Sequence, residues 1–244
     1  MRQVTPTAAV VLAPNPGPMT LDGTNTWVLR APGADTCVVV DPGPLHAGHL
    51  EAVAALGPVD VVLLTHGHAD HSEGAARFAE LTGAPVRALD PRHRLGDEGL
   101  GEGDVVASGG IELRVVATPG HSADSLSFQL EDAVLTGDTI LGRGTTVVAH
   151  PDGVLADYLE SLRRLQEMGD LVVLPGHGPE LPSAGVAAAQ YLAHREQRLD
   201  QVRAAVAAGA GTPQQVVEAV YADVDRALWP AALLSVQAQL AYLR

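Results

Sequence analysis

The chain has 244 residues, 46% of them hydrophobic and only 3% aromatic, with a formal net charge of −14. That length builds one large domain, or one domain with a small appendage, around a core of Val, Leu and Ala. The acid excess argues against broad electrostatic attraction to nucleic acid, double-stranded DNA included, and to anionic lipid.

No apolar run reaches the ~20 residues of a membrane span. The short run Ala8 to Ala13 meets Pro14-Asn15-Pro16, so the N-terminus lacks a signal-peptide core and a cytoplasmic location is expected. Cys37 is the single cysteine and excludes an intramolecular disulfide. Lysine is absent; from Ser183 onward five Arg (195, 198, 203, 226, 244) balance five acids (196, 200, 218, 223, 225), so the acid excess lies before that point.

In chain order, Val10-Val11-Leu12 and Thr26 to Leu29 read as strands around a Pro/Gly loop, and Val38 to Val40 as a third ending at Asp41-Pro42-Gly43. Leu45 to Leu56 has helical spacing. Val59 to Leu64 is a buried strand, and His71 to Leu81 is predicted as a helix. Short β segments follow around Val86, Val105-Val106, Ile111–Ala117, Leu126–Leu130 and Ala133–Leu135. Val154 to Met168 is an amphipathic helix, and Leu171 to Leu174 a strand stopped by Pro175-Gly176. After Pro182 the β signals vanish. Ala184 to Ala208 reads as one long helix, Thr212-Pro213 as an N-cap and first turn, and Leu228 to Leu243 as a last helix.

The densest chemistry is His66-Gly67-His68-Ala69-Asp70-His71, directly after the strand ending at Leu64. Mixed His and Asp donors without thiolate suit a catalytic rather than a structural metal site. His66 and His68 project the same way if the backbone stays extended, and Asp70 and His71 face a second position from the next helical turn. Three later strands each end in one ligand-type residue beside glycine: Gly120-His121, Gly137-Asp138 and Gly176-His177. His46, His49, His93 and His150 have no motif around them and are expected on the surface or in loops.

From Val10 to Pro182 these stations resemble the metallo-β-lactamase superfamily. The resemblance implies an α+β fold, a four-layer αββα sandwich spanning residues 1–182, with residues 183–244 as a helical cap. It implies two metal ions, one on His66, His68 and His121, the other on Asp70, His71 and His177, with Asp138 bridging. Zinc is the expected metal, with Mn or Fe able to fill the same donors. A metal-bridging hydroxide would attack the substrate, oriented by Asp70 as the catalytic residue. Asp41 matches a position that supports the site, with strand-end capping as the other reading.

Leu21-Asp22-Gly23-Thr24-Asn25-Thr26, Gly137-Asp138-Thr139 through Thr146 and Tyr191-Leu192-Ala193-His194-Arg195 resemble the β-lactamase-like protein 2 group, close to the glyoxalase II type. That resemblance implies phosphodiester cleavage of single-stranded RNA and a small winged-helix-like C-terminus, here without room for the wing. The acidic body departs from the basic track of RNA binders. A thioester hydrolase, like glyoxalase II or the acyl-carrier thioesterases, is the second reading. A mononuclear iron dioxygenase acting on persulfides is the third. Asn25, Thr145, His194 and Arg195 are the candidate substrate contacts, with a helix-surface salt bridge as the alternative role for His194 and Arg195.

Overall fold

The structure, a computed structural model, describes residues 1–244. Eleven strands form two sheets. The first runs β1 (Arg2–Gln3), β2 (Ala8–Leu12), β3 (Asn25–Leu29), β4 (Cys37–Val40), β5 (Val59–Leu63) and β6 (Val86–Arg87), in that spatial order. The second is ordered β11 (Val172–Pro175), β10 (Ala133–Gly137), β9 (Leu126–Gln129), β8 (Ile111–Ala117) and β7 (Val105–Ser108). Hairpin neighbours pair antiparallel, whereas β4–β5, β5–β6 and β10–β11 pair in parallel. Each parallel pair needs a crossover, and helices α1 (Ala47–Ala54), α3 (Ala75–Thr82) and α4 (Leu155–Gln166) supply them.

Side-chain alternation along the strands decides the layers. Val38, Val40 and Leu63 face inward and meet Leu113, Val115, Phe128, Leu135 and Leu174 of the other sheet in a dry core. The intervening Val39 and Val62 face outward, onto Leu50 and Val53 of α1 and Phe78 of α3. On the far side, Val134 and Val173 pack beneath Leu155, Leu159 and Leu162 of α4 and Ala187, Ala188 and Tyr191 of α5 (Ala184–Ala207). Both faces of both sheets are therefore covered, as the hydrophobic runs of β4 and β5 require. Cys37 is buried in β4, and burial raises its thiol pKa.

The helix expected over His71–Leu81 is two helices, α2 (Ala69–Ser72) and α3, with Gly74 between them. A Cβ at Gly74 would stand 2.8 Å from the Gly43 carbonyl oxygen and 2.9 Å from Leu50, so the chain passes here only as glycine. His49 does not lie on the surface as expected. It is buried, with Nε2 2.9 Å from the Thr26 hydroxyl. His46 and His150 are exposed and His93 is half-buried in a short 3-10 turn, Pro91–His93.

After β11 there is no further strand in the chain. α6 (Pro213–Val220) starts at a full capping box of Thr212 and Gln215. α7 (Trp229–Tyr242) follows. Val216, Val217, Val220, Ala232 and Val236 form a separate small core with Val202 of α5. One buried stripe of α5 thus serves two cores, with Ala187, Ala188, Tyr191 and Leu199 on the sheet side and Val202 on the other.

Candidate metal centre

All the expected ligand stations sit beyond strand ends at one edge of the sandwich. His66, His68, Asp70 and His71 follow β5, His121 follows β8, Asp138 follows β10 and His177 follows β11. Their donor atoms fall into three groups within 4.8 Å: His66–His68–His121, Asp70–His71–His177 and His66–His71–Asp138. In the first, His68 Nδ1 is 3.1 Å from His66 Nε2 and 3.0 Å from His121 Nε2. In the second, His177 Nε2 lies 3.2 Å from His71 Nε2 and 3.1 Å from Asp70 Oδ2. Asp138 lies between them, one oxygen 3.4 Å from His71 Nε2 and the other 3.3 Å from His177 Nε2 and 3.8 Å from His121 Nε2.

Four of the rings are turned by what their other nitrogen touches. His71 Nδ1–H donates to Asp41 Oδ2 at 2.8 Å, and His121 Nδ1–H donates to the Val147 carbonyl at 2.8 Å. His177 Nδ1–H donates to the Gly23 carbonyl at 3.1 Å. The Thr65 hydroxyl donates to Asp41 Oδ2 at 2.7 Å, so it accepts from His66 Nδ1–H at 3.0 Å. Each tether turns Nε2 into the centre. Asp41 thus holds the His71 ring directly and the His66 ring only through Thr65. It also accepts from Thr65 N–H at 2.8 Å, which caps the end of β5.

The donor set fits metal ions. Ligand nitrogens around a tetrahedral ion at ~2.0–2.1 Å stand roughly 3.3 Å apart. Lone pairs converging at that spacing repel unless a cation lies among them. Asp138 Oδ1 is buried without any hydrogen-bond donor, a costly state for a carboxylate oxygen. Gly176 makes the close packing possible, because a Cβ there would be 2.5 Å from Asp138 Oδ1 and 2.7 Å from His71 Cε1.

Charge is divided unevenly. Burial depresses the pKa of His66 and of His121, which favours neutral imidazoles able to ligate. At His177 burial opposes the charge, but hydrogen bonds to Asp138 and Asp70 overcome it and lift the pKa to about 9. Burial likewise raises the Asp70 pKa, and the His177 hydrogen bond with the His71 charge brings it down to about 2. The half of the site around Asp70, Asp138 and His177 therefore demands positive charge.

Among the candidate substrate contacts, Thr145, His194 and Arg195 line one cavity that opens on His121 and Asp138. Asn25 is elsewhere, buried, with its amide donating to the carbonyls of Pro175 and Gly178 at 3.0 and 2.8 Å. Arg195 is buried rather than on a helix surface, so the salt-bridge alternative does not apply to it.

Two sheets packed face to face between helices, with a ring of imidazoles and carboxylates at one edge, define the αββα class of metal-binding hydrolase folds. The chain belongs to the metallo-beta-lactamase superfamily, which it matches over residues 19–177. Residues 212–244 match the beta-lactamase associated winged helix domain. The chain is 34% identical over 242 residues to the atrochrysone carboxyl ACP thioesterase of Aspergillus fumigatus, spanning 89% of this chain and 74% of that protein. It is 33% identical over 242 residues to the beta-lactamase-like protein 2 homolog of Caenorhabditis elegans, spanning 93% of this chain and 80% of that one. The crystal structure of a metallo-beta-lactamase family protein from Thermus thermophilus superposes with a TM-score of 0.82 at 25% identity, covering 98% of this chain and 94% of that one.

Proposed function

We propose that this protein hydrolyses thioesters with two divalent metal ions. His66, His68 and His121 hold one, Asp70, His71 and His177 the other, and Asp138 joins both. Zinc suits this donor set, and manganese or iron would also bind it. When bound, such ions lower the pKa of water and stabilise developing oxyanion charge. Asp70 is the more open of the two carboxylates, 27% exposed against 11% for Asp138. It is therefore the one placed to meet the attacking water and orient it. Thr24 fixes that carboxylate by donating to Oδ2 at 3.3 Å. Residues 1–182 form the catalytic part and residues 183–244 cap it.

The observation that carries the thioester reading is the cavity beside His121 and Asp138. It encloses about 340 Å³ between the Leu141–Val147 loop and the C-terminal helices. Met19, Leu141, Val147, Val224 and Leu228 give it an apolar wall suited to an acyl group. The other rim carries three carboxylates against one arginine, Arg92, which pairs with Asp90. Asp90 and Asp124 cluster with His93, and Asp152 Oδ2 lies 4.0 Å from His68 Nε2. A continuous RNA strand crossing the centre would run its phosphates onto that rim. The name of the Aspergillus fumigatus relative, an acyl-carrier thioesterase, points the same way.

The test is a panel of acyl thioesters assayed beside single-stranded RNA on zinc-loaded protein. Thioester turnover is expected, falling at least about a thousandfold in His68→Ala and Asp138→Ala with the fold retained. RNA cleavage without thioester hydrolysis would refute the reading. So would one iron per chain and no second metal, which fits a dioxygenase instead.

A further inference from the structure

Arg195 stands out in the cavity wall. It is 3% exposed, yet no carboxylate oxygen comes within 4.0 Å of its guanidinium. One terminal nitrogen donates to the Thr146 carbonyl, and the group lies 5.0 Å from the Tyr158 ring centroid. Its Nε–H has no acceptor at all. Burying a cation with so few partners is strongly unfavourable unless an anion joins it. The neighbouring Arg143 differs, because it is paired with Asp22. Arg198 also lines the cavity without a carboxylate, held by the Val220 carbonyl at 3.0 Å and stacked over Tyr221. The sole carboxylate lining the cavity is Asp138, at its inner end.

We propose that Arg195 recognises a carboxylate on the acyl part of the substrate, so that the preferred substrates are thioesters of acidic acyl groups such as dicarboxylic half-thioesters. This rests on the thioester reading. The volume of the cavity is at the small end for ligand sites, which suits the acyl group and not a long thiol carrier. The thiol carrier then lies outside the cavity. Charge favours one direction: Arg92 pairs with Asp90, which leaves Asp124 and Asp152 without an arginine partner on that side to repel an anionic acyl end, and the Arg195 side attracts it. A guanidinium with unoccupied N–H groups offers the donor geometry a carboxylate accepts.

The probes are suberate against octanoate, and adipate against hexanoate, titrated calorimetrically into the zinc-loaded full chain. Each pair shares one carboxylate for the metals, so the ratio reports the second one. The dicarboxylate is expected to bind at least about tenfold tighter. Arg195→Gln should reduce that preference to within about threefold, and Arg195→Lys, which keeps the charge, should retain part of it. Equal affinities in the wild-type protein would overturn the proposal whether or not the variants fold. An undiminished preference in Arg195→Gln would overturn the role of this residue. A dicarboxylate preference without any thioester turnover would refute the thioester reading and leave the anion site standing. Thioester turnover without the preference would refute the anion site alone.

Discussion

Replacing Asp41 by Asn should disable one half of the centre through a single proton. Asp41 is 1% exposed, and its carboxylate accepts from Thr65 N–H, the Thr65 hydroxyl and His71 Nδ1–H at 2.8, 2.7 and 2.8 Å. Its backbone φ is +51°, a conformation Asn tolerates as well as Asp, so the substitution adds little strain. The amide oxygen can still serve Thr65 N–H. The amide N–H groups then face His71 Nδ1, which must become an acceptor. The imidazole proton moves to Nε2, the atom turned toward Asp70, Asp138 and His177. A protonated Nε2 cannot ligate. Loss of such an orienting partner lowers metal affinity about 10–100-fold, or roughly 1.4–2.7 kcal/mol. The lost charged hydrogen bond costs about 1–3 kcal/mol of folding stability besides. Zinc competition against a chromophoric chelator reads the two affinities separately, and thermal melts read the second cost. The site on Asp70, His71 and His177 should weaken, while that on His66, His68 and His121 changes less. Wild-type affinity at both sites, or an equal loss at both, would refute the tautomer argument.

Other perturbations isolate other parts. Gly176→Ala should lower the metal bound per chain relative to the wild-type protein, measured by elemental analysis after gel filtration, because its Cβ would reach to 2.5 Å from Asp138 Oδ1. Burial, helped by the charge of His46, holds the His49 pKa below its ordinary value. Below about pH 6.5 the unfolded chain then takes up a proton that the folded chain refuses, and stability falls as pH drops, by up to about 1.4 kcal/mol per pH unit. His49→Gln should flatten that slope in urea melts between pH 7 and pH 5.5; an unchanged slope would show that His49 is not its source. Thr212→Ala should cost about 1 kcal/mol in the same melts by opening the capping box at α6.

Much of this centre is legible in the sequence because each donor follows a strand and strands announce themselves. The runs before His66, His121, Asp138 and His177 all form strands; β10 and β11 run parallel, and β8, two antiparallel steps from β10, runs the same way, so their ends share one edge. What stays hidden depends on contacts between distant segments. Gly74 separates α2 from α3 because Gly43 and Leu50 press against it, and nothing local announces that pressure. His49 looks like an ordinary polar residue of a helix until Thr26 arrives beside it. Asn25 sits in a family-like motif, but the carbonyls that occupy its amide belong to residues about 150 positions away. The buried state of Arg195 is equally invisible, since Arg on a long helix ordinarily reaches solvent.

The long helix α5 has a consequence of its own. At 24 residues it extends about 36 Å, fixed to the second sheet by Ala187, Ala188 and Tyr191 and gripped by α6 and α7 through Val202. Tyr191 also exchanges hydrogen bonds with the backbone of Leu141, at 3.0 and 3.2 Å, so the same helix anchors the loop that faces the cap. Chemistry and selectivity are thereby separable along one rod. Substitutions in α7 and in the segment between α6 and α7 can reshape the roof of the cavity without disturbing a single donor atom of the centre. A scaffold built this way can change its diet while keeping its reaction, and libraries confined to Val224, Leu228 and Ala231 are the place to retune it.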